Sequence, residues 1–378
     1  MSGRSASPER GDSDDVRWMQ LALDEAVRAV RHAPPNPAVG CVIVTRDGTV
    51  VSGHTQPPGQ PHAEAHALAL MRERGLSPAG ATAYVTLEPC SHFGRTPPCA
   101  DALVRAGVRR VVVAVRDPNP LVAGRGIERL RAAGIQVDEG LMADEAREVN
   151  LGFFSRMLRQ RPWVRMKVAA SLDGRTALDN GVSQWITSPA ARADGHAWRA
   201  RAGAVLTGIG TVLEDDPRLD VREVQTPRQP LRVIVDSRLQ TPPTARILPP
   251  PGQVLVYAAR PDEAAAQALR AAGAEVQYLP NPHGKVDLPA MLADLAARGI
   301  NELHVEAGHK LNGSFVREGL VDEFLVYLAP RLIGPGRGML ELAPLAALDR
   351  SVALEFVDVQ RVGPDLRVIA RPPGRDRF

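Results

Sequence analysis

Three short stretches, Pro61-His62-Ala63-Glu64, Pro89-Cys90 and Pro98-Cys99, decide the fold of the first half of the chain. The first stretch opens a predicted helix, Pro61–Arg74, which has proline in its first turn and Gly75 beyond its end. Outward from it, helical and strand patterns alternate, which predicts an α/β fold with a sheet covered on both faces. The other predicted elements here are helices at Val16–Arg31, Pro98–Ala106 and Gly126–Ala133, and strands at Val39–Val44, Ala83–Thr86 and Arg110–Val115.

The residue types and their order predict a zinc site with Zn²⁺ held by His62, Cys90 and Cys99. One imidazole and two thiolates leave the fourth position of a tetrahedral ion open for water, as in catalytic sites. Zinc lowers the pKa of such a water to about 7. Glu64 lies too close to His62 to be an ideal further ligand, and it is placed to carry a proton from the water to a leaving amine. This order is the signature of zinc nucleobase deaminases, in which the glutamate is the catalytic acid and base.

Length and composition restrict the class of protein. The chain has 378 residues, which favours two domains, and its 44% hydrophobic and 24% charged residues exclude disorder as the main state. A net charge of +3 implies no strong field for nucleic acid. The sequence shows no apolar run of membrane-spanning length, no secretory signal and no disulfide framework. We therefore expect a cytoplasmic protein that binds neither nucleic acid nor membranes.

The predicted domain boundaries follow the changes of pattern along the chain. Residues 1–15 predict a disordered tail, residues 16–160 a first domain and residues 161–378 a second. Leu141–Arg161 is interpreted as a polar helix at the hinge. A second α/β series follows, with strands at Val164–Ala169, Ala204–Thr207, Leu231–Val235, Val254–Tyr257, Glu275–Tyr278, Glu302–Glu306 and Phe324–Leu328.

Two glycine-bearing turns in the second domain suit a nucleotide. Val205–Gly210 is a predicted strand that runs into a glycine-rich turn, where the backbone can approach a ligand closely. Gly308–Ser314 lies between a strand and a helix, and N–H groups at a helix start bind phosphate. Neither turn has the dinucleotide pattern Gly-x-Gly-x-x-Gly after a first strand, so a Rossmann fold is not predicted.

The stretch Thr86–Cys99, together with Pro35-Asn36-Pro37 and Asp117-Pro118-Asn119-Pro120, resembles the pyrimidine deaminase of riboflavin biosynthesis. The resemblance implies a cytidine-deaminase-like αβα domain. It also implies that Asn36, His54 and His92 line the pyrimidine pocket and that Arg95 meets a polar or phosphate group. From the residues alone, Asn36 equally suits a turn, and His54 and Arg95 suit a solvated surface.

The second half resembles the reductase domain that is fused to the same deaminase, a dihydrofolate-reductase-like α/β domain that uses NADPH. The blocks Lys167–Arg175, Ser183–Ser188, Thr207–Pro217 and Val305–Gly308 carry this resemblance. It implies nucleotide contacts at Ala169, Trp185, Thr211, Asp215, Ser237, Gly308, His309, Lys310, Leu311, Asn312, Gly313 and Ser314.

The same resemblance implies contacts to a phosphoribosylaminopyrimidine substrate. These are Ser183, Arg199, Leu219, Arg222 and Glu306, of which the two arginines suit its phosphate. Lys167 and Asp173 lie near the reacting end in the family pattern. The chain departs from that pattern at Val182, where an acidic residue is common, and at Ala307, where glycine is.

Both halves in this order imply the bifunctional deaminase and reductase of riboflavin biosynthesis, with one zinc ion per chain, NADPH, small-molecule substrates and a homo-oligomeric assembly. Two alternatives remain open at this point. An RNA base deaminase with an accessory domain is disfavoured by the low net charge and by the 4% of aromatic residues. A zinc-stabilised nucleotide-binding sensor is disfavoured by Glu64, because a structural zinc site needs no acid or base.

Overall fold

The computed structural model describes residues 9–92 and 97–378, with side chains from residue 13 onward. It separates into two compact units, the first ending at Arg159 and the second beginning at Gln160. No helix in these residues is both long and apolar enough to cross a membrane. The first helix begins at Glu9, so residues 9–15 are helical rather than part of a disordered tail. Asp15 anchors them, because it accepts hydrogen bonds from Tyr84 and Arg110.

The first unit is a five-stranded sheet between two layers of helices. Its strand order is β2-β1-β3-β4-β5. Strand β1 pairs antiparallel with β2 and with β3, whereas β3, β4 and β5 run parallel to one another. In chain order the elements are α1 (Glu9–Ala29), β1 (Gly40–Val44), β2 (Val50–His54), α2 (Ala63–Glu73), β3 (Thr82–Val85), α3 (Cys99–Ala106), β4 (Arg110–Val113), α4 (Arg125–Ala132), β5 (Gln136–Glu139), α5 (Ala143–Val149) and α6 (Leu151–Arg159).

Alternate residues of the central strands pack into different cores, which confirms the predicted sheet covered on both faces. Val42 of β1 packs with Met19 of α1 and with Ala146 of α5. Ile43, the next residue, belongs to the core that contains Met71 of α2, with α3 and α4 on the same side. Both strand residues are fully buried.

The prediction of a polar hinge helix over Leu141–Arg161 is wrong. The segment forms two helices, α5 and α6, and the second buries Phe153 and Phe154 in the core of the first unit. Helix α6 packs into the core despite its polar residues, because burying two aromatic rings removes a large apolar area from water.

The second unit is a nine-stranded sheet in the order β11-β10-β9-β8-β12-β6-β13-β16-β15. The strands are parallel from β11 to β13, and β16 and β15 are antiparallel to their neighbours. A separate antiparallel pair is formed by β7 and β14. The elements are β6 (Trp163–Ser171), β7 (Arg175–Leu178), α7 (Pro189–Arg201), β8 (Ala204–Gly208), α8 (Ile209–Asp215), β9 (Leu231–Val235), β10 (Val254–Ala258), α9 (Glu263–Ala271), β11 (Ala274–Tyr278), α10 (Leu288–Ala297), β12 (Glu302–Val305), α11 (His309–Arg317), β13 (Glu323–Ala329), β14 (Gly336–Gly338), a 3₁₀ turn (Leu348–Arg350), β15 (Glu355–Val362) and β16 (Asp365–Arg371).

Close packing against Gly53 fixes the start of α2. A Cβ atom at Gly53 would lie 2.6 Å from the Ala67 nitrogen and 2.8 Å from the Ala63 oxygen. Strand β2 and helix α2 therefore approach each other backbone to backbone, which only glycine permits.

The loop after β3 is held by the buried carboxylate of Glu88. This carboxylate accepts backbone N–H groups of Asp117 at 3.2 Å, Gly124 at 2.9 Å, Gly126 at 2.8 Å and Ile127 at 3.2 Å. A Cβ atom at Gly126 would lie 1.9 Å from the Pro89 oxygen. Glu88 thus ties the loop to the N-terminus of α4, where a negative charge is stabilised by the helix dipole.

We expect Glu88→Gln to destabilise the first unit by about 3 kcal/mol, because an amide NH₂ would face N–H donors that then lack an acceptor. Hydrogen exchange followed by mass spectrometry should show faster exchange at Gly124, Gly126 and Ile127 and unchanged exchange in β9 and β10. Glu73→Gln, at an exposed position of α2, is the matched control. Equal protection of these amides in Glu88→Gln and Glu73→Gln would contradict this role.

Candidate functional site

Three metal-ligating side chains meet at the ends of three elements of the first unit. His62 is the residue before α2, Cys90 lies in the loop after β3, and Cys99 is the first residue of α3. His62 Nδ1 lies 3.6 Å from Cys90 Sγ and 3.6 Å from Cys99 Sγ. The three ligand atoms all lie within 4.8 Å of one another.

This geometry fits a tetrahedral zinc ion. With Zn–N near about 2.0 Å and Zn–S near about 2.3 Å, tetrahedral angles require about 3.6 Å between the nitrogen and each sulfur. Both nitrogen–sulfur distances have this value. The donor set of one imidazole and two thiolates is also a zinc set, and it leaves a fourth position for water.

The first turn of α3 stabilises negative charge on the cysteines. The Cys99 backbone N–H donates to Cys90 Sγ at 3.3 Å. A hydrogen bond from the Cys99 thiol, with help from His62, lowers the pKa of Cys90 to about 4. The hydrogen bond to Cys90 and burial raise the pKa of Cys99.

Glu64 stands beside these ligands in the first turn of α2, and its side chain is buried, with 3% of the residue exposed. Burial, followed by the charge of Cys90, raises the pKa of Glu64 to about 7. A carboxyl group with this pKa exchanges a proton readily near neutral pH, which suits a general acid and base.

The residues predicted to line the pyrimidine pocket differ in burial and in hydrogen-bond partners. Asn36 is half-buried, and its backbone N–H closes a turn onto Ala33. His54 Nδ1 lies 2.8 Å from Glu25 Oε2. His92 is half-buried, and Arg95 lies outside the described residues.

Glu25 was not singled out from the sequence. It occupies the buried face of α1, between Ala22 and Ala26, and its carboxylate also accepts the Ser52 hydroxyl at 2.8 Å. An acid on the apolar face of an amphipathic helix was the signal that could have identified it.

The second unit contains a cavity, partly open to solvent, near the C-terminal ends of β6, β8 and β12. Such a position at the ends of parallel strands is where α/β sheets bind ligands. The predicted residues that line it are Lys167, Ala169, Ser183, Thr211, Asp215, Glu306, Gly308, His309 and Asn312.

Glu306 is an acidic residue of the cavity lining, and its carboxylate lies between two cationic side chains. Arg199 donates to both carboxylate oxygens of Glu306, at 2.5 and 2.9 Å, and Lys167 Nζ lies 3.6 Å away. Burial would raise the pKa of Glu306, but Arg199 and Lys167 outweigh it and hold the pKa well below its usual range. Glu306 is therefore ionised in the protein.

The start of α11 offers groups for a nucleotide. Gly308 precedes the helix and supplies no side-chain cap to the backbone N–H groups of its first turn. Asn312 is 2% exposed, and its Oδ1 receives no hydrogen bond from the part of the chain that the structure describes. Backbone donors and an unsatisfied amide oxygen on one cavity wall fit the phosphates and amide of a dinucleotide.

Other predicted nucleotide contacts lie outside the cavity lining. Trp185 is 60% exposed and stacks with Arg192, while Ser237 accepts the Val286 N–H at 3.2 Å. The residues Lys310, Leu311, Gly313 and Ser314 belong to α11 but do not line the cavity.

Three further predicted residues lie outside the cavity lining and contact other parts of the second unit. Leu219 is buried with a left-handed backbone, and Arg222 binds Asp220 at 2.7 Å. Asp173 accepts the Ser171 hydroxyl and the N–H groups of Ile333 and Gly334, and these bonds lower its pKa to about 2. Asp173 thus fixes the segment after β13.

Several cavity residues were not assigned from the sequence, among them Arg337 and Glu214. Arg337 of β14 reaches across to Glu214 of α8 at 2.6 Å, and both line the cavity. Nothing local marks Arg337, because β14 is three residues long, whereas Glu214 lies within the block Thr207–Pro217 that carries the resemblance. Of the two departures from the family pattern, Ala307 lines the cavity and Val182 is exposed.

Two family models match the chain. The cytidine and deoxycytidylate deaminase zinc-binding region matches residues 12–115, and the RibD C-terminal domain matches residues 162–368. The first match contains the His62, Cys90 and Cys99 cluster, and the second contains the cavity.

Similar proteins cover nearly the whole chain. The riboflavin biosynthesis protein RibD of Escherichia coli is 45% identical over 93% of this chain and 98% of its own length. The structure of RibD from Acinetobacter baumannii has a TM-score of 0.87 at 43% identity, covering 96% of this chain and 99% of that one. A Thermotoga maritima structure, described as a diaminohydroxyphosphoribosylaminopyrimidine deaminase/5-amino-6-(5-phosphoribosylamino)uracil reductase, has a TM-score of 0.85 at 31% identity, covering 96% and 99%. On this sequence identity over nearly its full length, the chain belongs to the RibD family of riboflavin biosynthesis proteins.

Proposed function

We propose that the chain is a bifunctional enzyme that first deaminates 2,5-diamino-6-(5-phosphoribosylamino)pyrimidin-4-one and then reduces the ribosyl group of the product to ribityl. Residues 16–160 carry the deaminase and residues 161–378 the NADPH-dependent reductase. The observation that carries the proposal is the zinc-like spacing of His62, Cys90 and Cys99 beside buried Glu64, in a chain of the RibD family.

In the deaminase, His62, Cys90 and Cys99 would hold zinc, which would supply an activated water. Glu64 holds a proton on its carboxylate and delivers it to the leaving ring amine. Oxygen from water replaces the amine on the ring carbon, and ammonia leaves. Asn36, His54, His92 and Arg95 bind the pyrimidine and its substituents, and Glu25 holds His54 through Nδ1.

In the reductase, bound NADPH would supply the hydride for reduction of the sugar C1 in its open imine form. Nucleotide binding is assigned to Ala169, Trp185, Thr211, Asp215, Ser237 and residues 308–314. Ser183, Arg199, Leu219, Arg222 and Glu306 bind the substrate. Lys167, 3.6 Å from ionised Glu306, is placed to move a proton during ring opening, and Asp173 orders the loop nearby.

The alternatives fit less well. An RNA deaminase would need a basic face and stacking residues, whereas net charge is +3 and aromatic residues make up 4%. A zinc-stabilised sensor would leave Glu64 without a purpose. The three cysteines are free, and two of them belong to the candidate metal cluster. Free cysteines are typical of proteins in the reducing cytoplasm, which supports a cytoplasmic location.

Homo-oligomerisation is supported by β15, the edge strand of the nine-stranded sheet. Phe356 is 78% exposed there, and Val359 is exposed beside it. An apolar edge strand is a surface that a second copy of the chain covers by pairing.

We expect the full chain to sediment as an assembly larger than its 40.6 kDa monomer, and the double variant Phe356→Glu/Val359→Glu to sediment as a monomer. Leu121→Glu, at an exposed apolar position in the first unit, is the control. A monomeric wild-type protein would contradict the prediction.

The proposed activities are tested by mass spectrometry of the diaminopyrimidinone ribosyl phosphate after incubation with the zinc-loaded chain. Exchange of an amine for oxygen should occur without NADPH, and gain of two hydrogens only with it. Recovery of unchanged substrate from folded, zinc-loaded protein would overturn the proposal.

We expect Glu64→Gln to slow deamination roughly 100- to 10,000-fold, because the proton carrier is lost. Zinc content, measured by atomic absorption, and reduction of pre-deaminated substrate should remain. Cys90→Ser is the contrasting variant, which should lose zinc as well as deamination. Deamination by Glu64→Gln at the wild-type rate would remove Glu64 from catalysis.

A further inference from the structure

His304 is a fully buried histidine that the proposed reductase mechanism does not use. It lies in β12, two residues before Glu306, and its ring is turned to the side of the sheet on which Arg199 of α7 bonds Glu306. Leu303 and Val305, its neighbours along the strand, pack into the core on the opposite face. His304 therefore lies against Glu306 in the interior of the second unit, whereas Glu306 itself lines the cavity.

The imidazole of His304 approaches one oxygen of the Glu306 carboxylate. Its Nε2 lies 3.4 Å from Oε1, the oxygen that also accepts Arg199 Nε at 2.5 Å. The distance of 3.4 Å is longer than that of a formed hydrogen bond. Accordingly, neither ring nitrogen of His304 has a hydrogen-bond partner in the part of the chain that the structure describes. Because a buried polar group without a partner destabilises the fold, a small movement that closes this gap is favourable.

Its surroundings make His304 a neutral imidazole near neutral pH. Burial is the largest cause that lowers its pKa, and the charges of Arg165 and Arg199 act in the same direction, against the raising effect of Glu306. Arg165 lies opposite His304 in the adjacent strand β6. A neutral imidazole carries one N–H. On Nε2 this N–H faces the ionised carboxylate, whereas on Nδ1 it would leave two lone pairs facing each other, so electrostatics assigns the proton to Nε2.

We propose that His304 is a positioning residue of the reductase, whose Nε2–H donates to Glu306 Oε1 and holds this carboxylate in place when substrate is bound. The inference rests on the proposed function, in which Glu306 binds the substrate and Lys167 moves a proton. Polar contacts in active sites are often long in the free enzyme and tighten in the complex. Lys167 Nζ lies 3.6 Å from Oε2, and once it has given up its proton it no longer balances the charge of Glu306. Arg199 and His304 then hold the carboxylate.

The test compares full-length wild-type protein with His304→Gln, His304→Met and Leu303→Met. Glutamine keeps an N–H donor at a similar reach, methionine has a similar volume but no donor, and Leu303→Met is a matched change on the other face of the same strand. With pre-deaminated substrate, we expect kcat/KM to fall about tenfold in His304→Met, because one hydrogen bond to a charged group is lost. His304→Gln and Leu303→Met should stay within about twofold of the wild-type protein. The KM for NADPH and the rate of deamination should be unchanged in all four proteins.

Two kinetic results would overturn the role of His304: a kcat/KM in His304→Met equal to that of wild type, or an equal loss in His304→Gln and His304→Met, which would leave the ring a packing role alone. Nitrogen NMR of protein labelled with ¹⁵N-histidine gives a readout that needs neither turnover nor the methionine variant. The signals that disappear in His304→Gln should report an Nε2–H imidazole near neutral pH, and an Nδ1–H ring would refute the contact. A wild-type protein that reduces nothing would refute the proposed function and the positioning role with it, whereas the variant comparisons refute the positioning role alone.

Discussion

The hydrogen bonds of the Glu88 carboxylate are the interaction on which the candidate metal site depends. The carboxylate is buried and satisfies four backbone N–H groups from two other segments, so the two residues that follow Glu88 have a fixed path. Cys90 is one of these residues, and its sulfur accepts the N–H that begins α3. Backbone hydrogen bonds outside the candidate metal site therefore fix the position of Cys90, as is common for sites that must be rigid.

In the second unit, ion pairs rather than backbone hydrogen bonds hold the key acidic side chain in place. Glu306 faces the cavity in ionised form because Arg199 grips both of its oxygens, and Arg199 in turn is fixed by the backbone of Asp220. Removing one member of such a buried set leaves an uncompensated charge, so the members act as one unit. Asp220 extends the same chain of contacts outward to Arg218 and Arg222.

Much of the architecture was predictable from local patterns. Strands β1, β3, β4 and most of β6 to β13 were predicted within a few residues, since buried apolar runs bounded by glycine and proline are strong local signals. The pattern failed at β15 and β16, which carry charged residues on exposed faces, and at α6, whose buried phenylalanines were read as part of a polar helix. The sequence analysis proposed His62, Glu64, Cys90 and Cys99 as one site because His, Cys, Cys and a nearby Glu in this order are a known zinc pattern, and the structure brings the ligand atoms of His62, Cys90 and Cys99 together.

The proposed metal ligands, the proposed proton carrier and the α/β character of both units follow from the order of residue types, because ligand chemistry and hydrophobic period are local properties of a sequence. The partners of Glu25, Glu88, Asp220 and Glu306 were decided only by the tertiary structure. Each of these carboxylates finds its donors on segments that adjacent strands and helices bring close, and no sequence spacing encodes which donor that is. Burial then makes the pairing obligatory, since an unpaired charge in the interior costs far more than an exposed one.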